Sequence, residues 1–182
     1  LFKEGKHTKG NTKAEAVMLL NHQAALDYVL NKPDYFRELT VQKILEIHRF
    51  LTKGLGIPNK IRAGRVGITG TNYKPLAKAN QIQKALQDLC DLINSKRNVL
   101  EKAFIALLLI AYIQPFEDGN KRTARIICNA LLLPNKYCPI SFRTVEPEDY
   151  RYATLLFYEQ NSIPSFKKIF MEQLEFSTAN YF

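Results

Sequence analysis

The sequence has little of what would place it in a membrane or among disulfide-linked secreted proteins. Its longest apolar run, residues 103–113, is too short to cross a bilayer, which takes about 20 apolar residues. The N-terminal stretch LFKEGKHTKGN has no apolar segment of the kind that a secretory signal needs. The three cysteines cannot all pair, and none belongs to a Cys-x-x-Cys motif. We therefore expect a cytoplasmic protein with no membrane partner.

Metal-ligating and nucleic-acid-reading motifs are also missing. The only histidines, His7, His22 and His48, share no metal-ligand spacing, and no phosphate-binding GxxxxGK[ST] loop is present. The chain carries 26 Lys+Arg against 17 Asp+Glu, a formal net charge of +9, which favours anionic partners. Its cations are scattered, however, and no RNA-binding aromatic motif or helix-turn-helix pattern accompanies them. A helical nucleic-acid-binding domain is thus a weaker hypothesis, and we expect no specific nucleic-acid partner.

What the sequence does contain is helical periodicity over most of its length. At 182 residues, with 46% hydrophobic and 24% charged residues, it has the composition of one globular domain covering residues 1–182. Apolar spacing and capping patterns predict an all-α fold with helices at 12–30, 41–55, 78–96, 99–113, 120–133, 148–160 and 164–174. Five of the eight glycines fall between Gly54 and Gly70, where short β-prone pieces predict a small hairpin or flap at about 61–75.

The loop and helix at residues 114–133 contain the most chemically informative residues. Gly119 directly precedes a predicted helix, whose first amides have no intrahelical partner and attract anions. Arg122 and Arg125 are three residues apart and share one face of that helix, where two guanidiniums can hold a polyphosphate. Asp118, beside the turn, can hold a Mg²⁺ that bridges phosphate oxygens. These residues together predict a phosphate or nucleotide site. Phe116, two residues before Asp118, is predicted to lie in the hydrophobic core.

The same residues resemble the motif of the Fic domain family, His-Pro-Phe-x-(Asp/Glu)-Gly-Asn-Gly-Arg-x-x-Arg. This chain reads Gln114-Pro115-Phe116-Glu117-Asp118-Gly119-Asn120-Lys121-Arg122-Thr123-Ala124-Arg125. The likeness continues through the first helix, the flap segment RAGRVGITGTNYKPL and the C-terminal helices, and it covers nearly the whole chain. The resemblance implies a Fic-type helical bundle with a small β-hairpin flap.

The resemblance also implies a protein adenylyltransferase, which moves AMP from ATP to a Ser, Thr or Tyr hydroxyl of a target protein. By position, Asp118 would hold Mg²⁺ and the backbone of residues 119–121, including Lys121, would form the anion nest. Asn120 and Arg122 would position the phosphates, Arg125 would reach the terminal phosphate, and Tyr152 would help to line the adenine pocket. The flap residues Gly70, Thr71 and Tyr73 would dock the target backbone by strand addition.

Two departures from the family motif bear on activity. Gln114 stands where the family has the histidine that takes the proton of the target hydroxyl, and a carboxamide does not titrate near neutral pH. Lys121 replaces the second glycine of the motif, as in the Doc branch of the family, which phosphorylates its targets. We therefore expect impaired AMP transfer. A non-catalytic nucleotide-binding or interaction module and a Doc-like protein phosphotransferase remain the alternatives. The oligomeric state is not predicted.

Overall fold

A computed structural model describes residues 12–181 of the chain, with the terminal pair Thr12 and Tyr181 described by backbone alone. It confirms the predicted all-α fold. The part of the chain so described contains seven α-helices: α1 Thr12–Asn31, α2 Val41–Thr52, α3 Ala79–Ser95, α4 Val99–Ile113, α5 Asn120–Leu132, α6 Pro147–Gln160 and α7 Pro164–Tyr181. Two short 3₁₀ helices, at Pro33–Phe36 and Leu133–Asn135, were not predicted. The N-terminal stretch with His7, and the expected side-chain cap at Thr12, lie outside this description.

Helix α4 forms the centre of the bundle because its sequence is apolar on almost every face. Seven of its residues are buried, from Ala103 to Ile113, and its longest interface is with α5. The Asn98 side chain accepts hydrogen bonds from the amides of Leu100 and Glu101 and so caps the start of α4. Since α4 and α5 are both buried, the short loop between them is held at both ends by the core.

The three cysteines are buried and unpaired, as their positions on apolar faces predict for Cys90 and Cys128. Burial raises the pKa of the Cys90 thiol to about 12 and that of Cys128 further, so both are protonated packing residues. Phe116 is fully buried, as predicted. Among the described helices, none has the length and apolarity that crossing a membrane requires.

The expected β-hairpin at residues 61–75 is wrong. This segment, called the flap below, contains no strand in the structure and is coil apart from a bend at Gly64 and a turn at Thr69 and Gly70. Its two arms meet at their base, where the Gly64 amide donates to the Ala77 carbonyl at 2.9 Å. Elsewhere the flap bonds to helices: Glu159 of α6 accepts from the Thr71 hydroxyl and the Asn72 amide. A glycine-rich hairpin is weak by itself, and these contacts to the bundle replace pairing between its arms.

Candidate active site

A cavity of about 590 Å³ opens where the end of α4, the start of α5, the flap and α6 meet. This volume is typical of small-molecule sites. The loop and helix predicted from the sequence form one side of the cavity, and the flap and α6 form the other. The lining residues are Gly67, Ile68, Thr69, Gln114, Glu117, Asp118, Gly119, Asn120, Lys121, Arg122, Arg151, Thr154, Leu155 and Tyr158.

The loop between α4 and α5 is bounded by two residues with left-handed backbone conformation. Gln114 ends α4 at φ 51°, and Gly119 precedes α5 at φ 83°. A side chain at residue 119 would be strained at this φ, and its Cβ would lie 3.5 Å from the His48 ring. Glycine is therefore favoured here by the turn, since a Cβ at 3.5 Å would make only an ordinary contact with α2.

The start of α5 is open to an anion. The first intrahelical hydrogen bond runs from the Thr123 amide to the Gly119 carbonyl at 2.8 Å, so the helix does not use the amides before Thr123. The residue before the helix, Gly119, has no side chain that could cap this end, and its own amide donates to the Asp118 carboxylate beside it. The predicted helix start thus lies at the cavity, with its positive dipole end toward the lining.

The two motif arginines both carry guanidinium nitrogens that lack a partner among the described residues. Arg122 lines the cavity, and its Nη2 lies 3.0 Å from the Asp118 carboxylate, while its Nη1 is buried and unpaired. Arg125, one turn further along α5, lies with its guanidinium carbon 4.9 Å from the ring centre of Tyr150, and its Nε is buried and unpaired. Buried donors without acceptors are rare, and they favour an anionic ligand or ordered water here.

The side chain of Gln114 is held at both ends of its carboxamide. Its Nε2 donates to the Ala111 carbonyl, and its Oε1 accepts from Asn120 Nδ2 at 3.0 Å. Tyr158, across the cavity, donates its hydroxyl to the same Ala111 carbonyl at 2.8 Å. Burial raises the pKa of Tyr158 far above neutrality, so its phenol is protonated. Neither Gln114 nor Tyr158 can accept a proton at neutral pH.

Asn120 is buried and holds the loop together. Its Oδ1 accepts from the Phe116 amide at 2.9 Å, and its Nδ2 donates to the Phe116 carbonyl at 2.9 Å as well as to Gln114. Both amide hydrogens are therefore used within the chain. The expected phosphate contact of Asn120 stays a prediction, and the structure gives its side chain a supporting role in the loop.

The flap residues that contact the cavity differ from those predicted to dock a target. Gly67, Ile68 and Thr69 line the cavity, whereas the predicted docking residues Gly70, Thr71 and Tyr73 lie beyond its lining. The Tyr73 ring stacks on Tyr112 of α4, with 4.3 Å between ring centres, and its hydroxyl donates to the Tyr112 carbonyl at 3.0 Å. Tyr73 thus fastens the flap to the bundle.

Gly70 and Tyr152 have surroundings that the sequence did not indicate. A Cβ at Gly70 would lie 2.5 Å from Arg151 Nη2, and φ at this residue is 88°, so the flap turns here against the guanidinium of α6. Tyr152 is 65% exposed and is absent from the cavity lining, which α6 supplies through Arg151, Thr154, Leu155 and Tyr158. The predicted adenine contact of Tyr152 stays a prediction.

Two carboxylates, Glu117 and Asp118, border the cavity, and both residues are exposed. The described residues contain no group of three or more His, Cys, Asp or Glu that could enclose a metal ion. Mg²⁺ is commonly held by one or two carboxylates together with the phosphates of a nucleotide. The donor set at Asp118 therefore fits a Mg²⁺ that arrives with a polyphosphate.

Comparison with known proteins gives one family throughout. A sequence model of the Fic/DOC family matches residues 38–132. The chain is 26% identical over 151 residues to the Caenorhabditis elegans protein adenylyltransferase fic-1, covering 79% of this chain and 29% of that protein. It is 32% identical over 119 residues to the protein adenylyltransferase Fic of Nematostella vectensis, covering 62% and 27%. The chain thus spans about a third or less of the length of these relatives.

Solved structures share the fold at low sequence identity. Residues 134–508 of C. elegans Fic-1 superpose with a TM-score of 0.78 at 23% identity, covering 98% of this chain and 54% of that one. The Bartonella tribocorum effector BepC, solved with bound AMPPNP, superposes with a TM-score of 0.63 at 17% identity, covering 84% and 85%. These two superpositions establish a common fold.

Proposed function

Because this chain belongs to the Fic/DOC family, we propose that it binds ATP with Mg²⁺ in the cavity beside Gly119. We further propose that the site is built to transfer AMP to a Ser, Thr or Tyr hydroxyl of a target protein. The main support is a set of donors at this end of the bundle: the start of α5 and the unpaired Arg122 Nη1 at the cavity, and the unpaired Arg125 Nε one turn further along α5, outside the cavity lining. The names of the relatives, protein adenylyltransferases, support the reaction class.

In this proposal the polyphosphate lies against the start of α5. Charge-assisted hydrogen bonds from the amides and from Arg122 would hold its oxygens, and Arg125 would meet its far end. Mg²⁺ at Asp118 would neutralise phosphate charge as the nucleotide reacts. The bound AMPPNP of BepC, an ATP analogue in a protein of the same fold, is consistent with this assignment.

AMP transfer requires that the target hydroxyl lose its proton while its oxygen bonds to the α-phosphorus and pyrophosphate leaves. Gln114 occupies the position of the family's base, and its amide can orient the hydroxyl but cannot accept the proton. A positioned base contributes about 10²–10⁴-fold to such a step. We therefore propose that this chain retains nucleotide binding and transfers AMP slowly.

For the target, we propose docking along the flap. Residues 65–68 belong to no helix, strand or turn, and Thr69 begins a turn at the cavity edge. Such a segment can accept an extended peptide by strand addition, with Ile68 and Thr69 at the cavity edge. A target hydroxyl on that peptide would then face the nucleotide.

Two observations favour alternative functions. The locked carboxamide of Gln114 favours a nucleotide-binding module that does not transfer AMP. Lys121, which lines the cavity where the family has glycine, favours a Doc-like phosphotransferase. The phosphotransferase alternative predicts that phosphate, not AMP, is added to the target.

Calorimetric titration with ATP, with and without Mg²⁺, tests the central proposal. We expect binding that strengthens with Mg²⁺, because the Asp118 carboxylate and the metal-bound phosphates attract each other. Asp118→Asn should remove most of this Mg²⁺ dependence, whereas Asp88→Asn, on the exposed face of α3, should leave it unchanged. Absence of ATP binding by the wild-type chain would overturn the proposed function.

A further inference from the structure

Four carbonyl oxygens of the loop between α4 and α5 accept hydrogen bonds from donors outside the cavity or in its wall. They belong to Gln114, Pro115, Phe116 and Asp118. One of these donors belongs to the loop and helix motif itself: Asn120 Nδ2 binds the Phe116 carbonyl. The others come from elsewhere in the chain. His48 Nε2 lies 3.0 Å from the Asp118 carbonyl. Arg62 reaches the Gln114 carbonyl through Nε at 2.6 Å and the Pro115 carbonyl through its amide at 3.0 Å.

The orientation of these carbonyls matters to an anion. A peptide group has a partial negative charge on its oxygen and a partial positive charge on its N–H. If a loop peptide flipped, its carbonyl oxygen would face the phosphates and repel them. Its N–H would point away and could no longer donate a hydrogen bond to the phosphates. We propose that His48 and Arg62 are positioning residues that keep the loop carbonyls out of the cavity and so form its anion-binding surface. This inference rests on the proposed function.

His48 contacts the loop on several sides. Its ring is fully buried and stacks on Phe116, with 3.7 Å between ring centres. A carbonyl can only accept a hydrogen bond, so Nε2 must carry the hydrogen that binds Asp118. The other ring nitrogen, Nδ1, meets the side chain of Asn59 at 3.1 Å, which fixes the ring plane. The ring therefore determines where the Asp118–Gly119 peptide lies.

Arg62 links the flap to the loop from the opposite end. It is 1% exposed, and besides its two bonds to the loop it donates through Nη1 to the Gly64 carbonyl of the flap. No carboxylate pairs with this guanidinium among the described residues, so backbone carbonyls alone offset its buried charge. Removing a guanidinium charge from water costs free energy. Because the buried Arg62 side chain donates to a carbonyl of the loop and to a carbonyl of the flap, it holds these two segments in a fixed relative position.

The first test compares two substitutions of His48 that separate its hydrogen bond to the Asp118 carbonyl from its ring stack on Phe116. His48→Phe keeps the ring stack on Phe116 and loses the donor, whereas His48→Gln keeps a side-chain N–H and loses the stack. Calorimetry with inorganic pyrophosphate and with Mg-ATP measures the effect. We expect roughly tenfold weaker binding of both anions by His48→Phe, the factor for one lost hydrogen bond, and binding within about threefold of wild type by His48→Gln.

The inference is tested by which of the two His48 variants binds the anions more tightly. A packing role for the ring would make His48→Phe the better binder, and that result would overturn the inference. If His48→Phe does not fold, Arg62→Lys replaces it, because lysine keeps the cation but cannot donate to two carbonyls in a fork. Roughly tenfold weaker pyrophosphate binding by a folded Arg62→Lys chain would support the inference, and wild-type affinity would overturn it.

Pyrophosphate also separates this inference from the proposed function. A wild-type chain that binds pyrophosphate but not ATP would overturn the proposed function, and the variants would then be judged on pyrophosphate alone. A wild-type chain that binds neither anion would overturn both.

Discussion

Gln114 is the residue on which the proposed AMP transfer most depends. The residues around it form a donor-rich cavity, yet both ends of its carboxamide are already bonded, to Ala111 and Asn120. The left-handed backbone at this residue is tolerated by polar side chains, histidine included. The position can therefore accept the histidine of the family motif without a change of backbone.

We predict that Gln114→His increases AMP transfer by about 10²–10⁴-fold, because it supplies the missing base. Self-modification with labelled ATP, followed by mass spectrometry of the added group, measures the gain. Gln114→Ala is the matched control, since it removes the carboxamide without adding a base, and it should show no gain. Equal transfer by wild type and the histidine variant would mean that another group is the base. Phosphate in place of AMP would favour the Doc-like alternative.

Arg125 provides a second prediction at a single side chain. Arg125→Ala should weaken Mg-ATP binding by about 1.5–3 kcal/mol, the usual contribution of a hydrogen bond to a charged group. Arg143→Ala is the control, because Arg143 also lies over an aromatic ring, 5.5 Å from the centre of Phe176, and belongs to the segment before α6 instead of to α5. Unchanged ATP affinity in a folded Arg125→Ala chain would show that this guanidinium does not contact the nucleotide.

Among the structural elements, the flap differs most from its expected form. It is fastened to α6 by Glu159 and to α4 by Tyr73, and its cavity-facing residues, 67–69, come just before both attachments in the sequence. The hydrogen bonds from Thr71 and Asn72 lower the pKa of the Glu159 carboxyl, as expected for a carboxylate that accepts two donors. The flap position is thus maintained by side chains of the bundle.

We predict that Glu159→Ala loosens the flap without weakening ATP binding, because its partners Thr71 and Asn72 lie beyond the cavity lining. Amide hydrogen exchange should quicken at Asn72 and its flap neighbours, while calorimetry shows wild-type ATP affinity. Glu172→Ala, which removes an exposed carboxylate of α7, should change neither measurement. Slow exchange that persists in the Glu159 variant would show that Glu159 is not needed to hold the flap.

For the molecule as a whole, the two described histidines make stability depend on pH. Burial lowers the pKa of His22, and the guanidiniums of Arg125 and Arg122 lower it further. Burial is also the main cause of the lowered pKa of His48, against opposing hydrogen bonds to Asn59 and Asp118. Below the ordinary histidine pKa of about 6.5, the unfolded chain binds protons that the folded chain does not.

We therefore predict that the free energy of unfolding falls as the pH drops below about 6.5, by at most about 1.4 kcal/mol per pH unit for each histidine. Urea unfolding at pH 7.5, 6.5 and 5.5 measures the slope. His22→Gln should make the slope shallower, because it removes one of the two groups. The same slope in the variant would show that His22 does not contribute.

The net charge leads to a prediction about nucleic acid. Because the cations are scattered and no reading motif is present, duplex and single-stranded DNA should bind only weakly, with a steep loss of affinity as salt increases. Electrophoretic shifts at physiological salt measure this. Tight, sequence-selective binding would contradict the prediction.

Local patterns in the sequence were sufficient for the helices and for the loop that carries the motif. Helix α4 was predicted with its observed bounds, Val99–Ile113, because an apolar run and a following proline are both local signals. Helix α2 ends at Thr52, earlier than predicted, because Gly54 takes a positive φ that ends the helical path. Such errors at helix ends come from local turn geometry.

What only the tertiary structure decided depends on residues far apart in the chain. His48 meets the Asp118 carbonyl across 70 positions, and Arg62 meets that of Gln114 across 52. In the sequence His48 is one polar residue on an otherwise apolar helix face, and Arg62 is one cation among many. The coil form of the flap was missed for the same reason, since its bonds to Glu159 span more than 80 positions and outweigh its local β tendency. Periodicity and motifs report on neighbours in sequence, whereas hydrogen bonds between distant segments form only once the helices have packed.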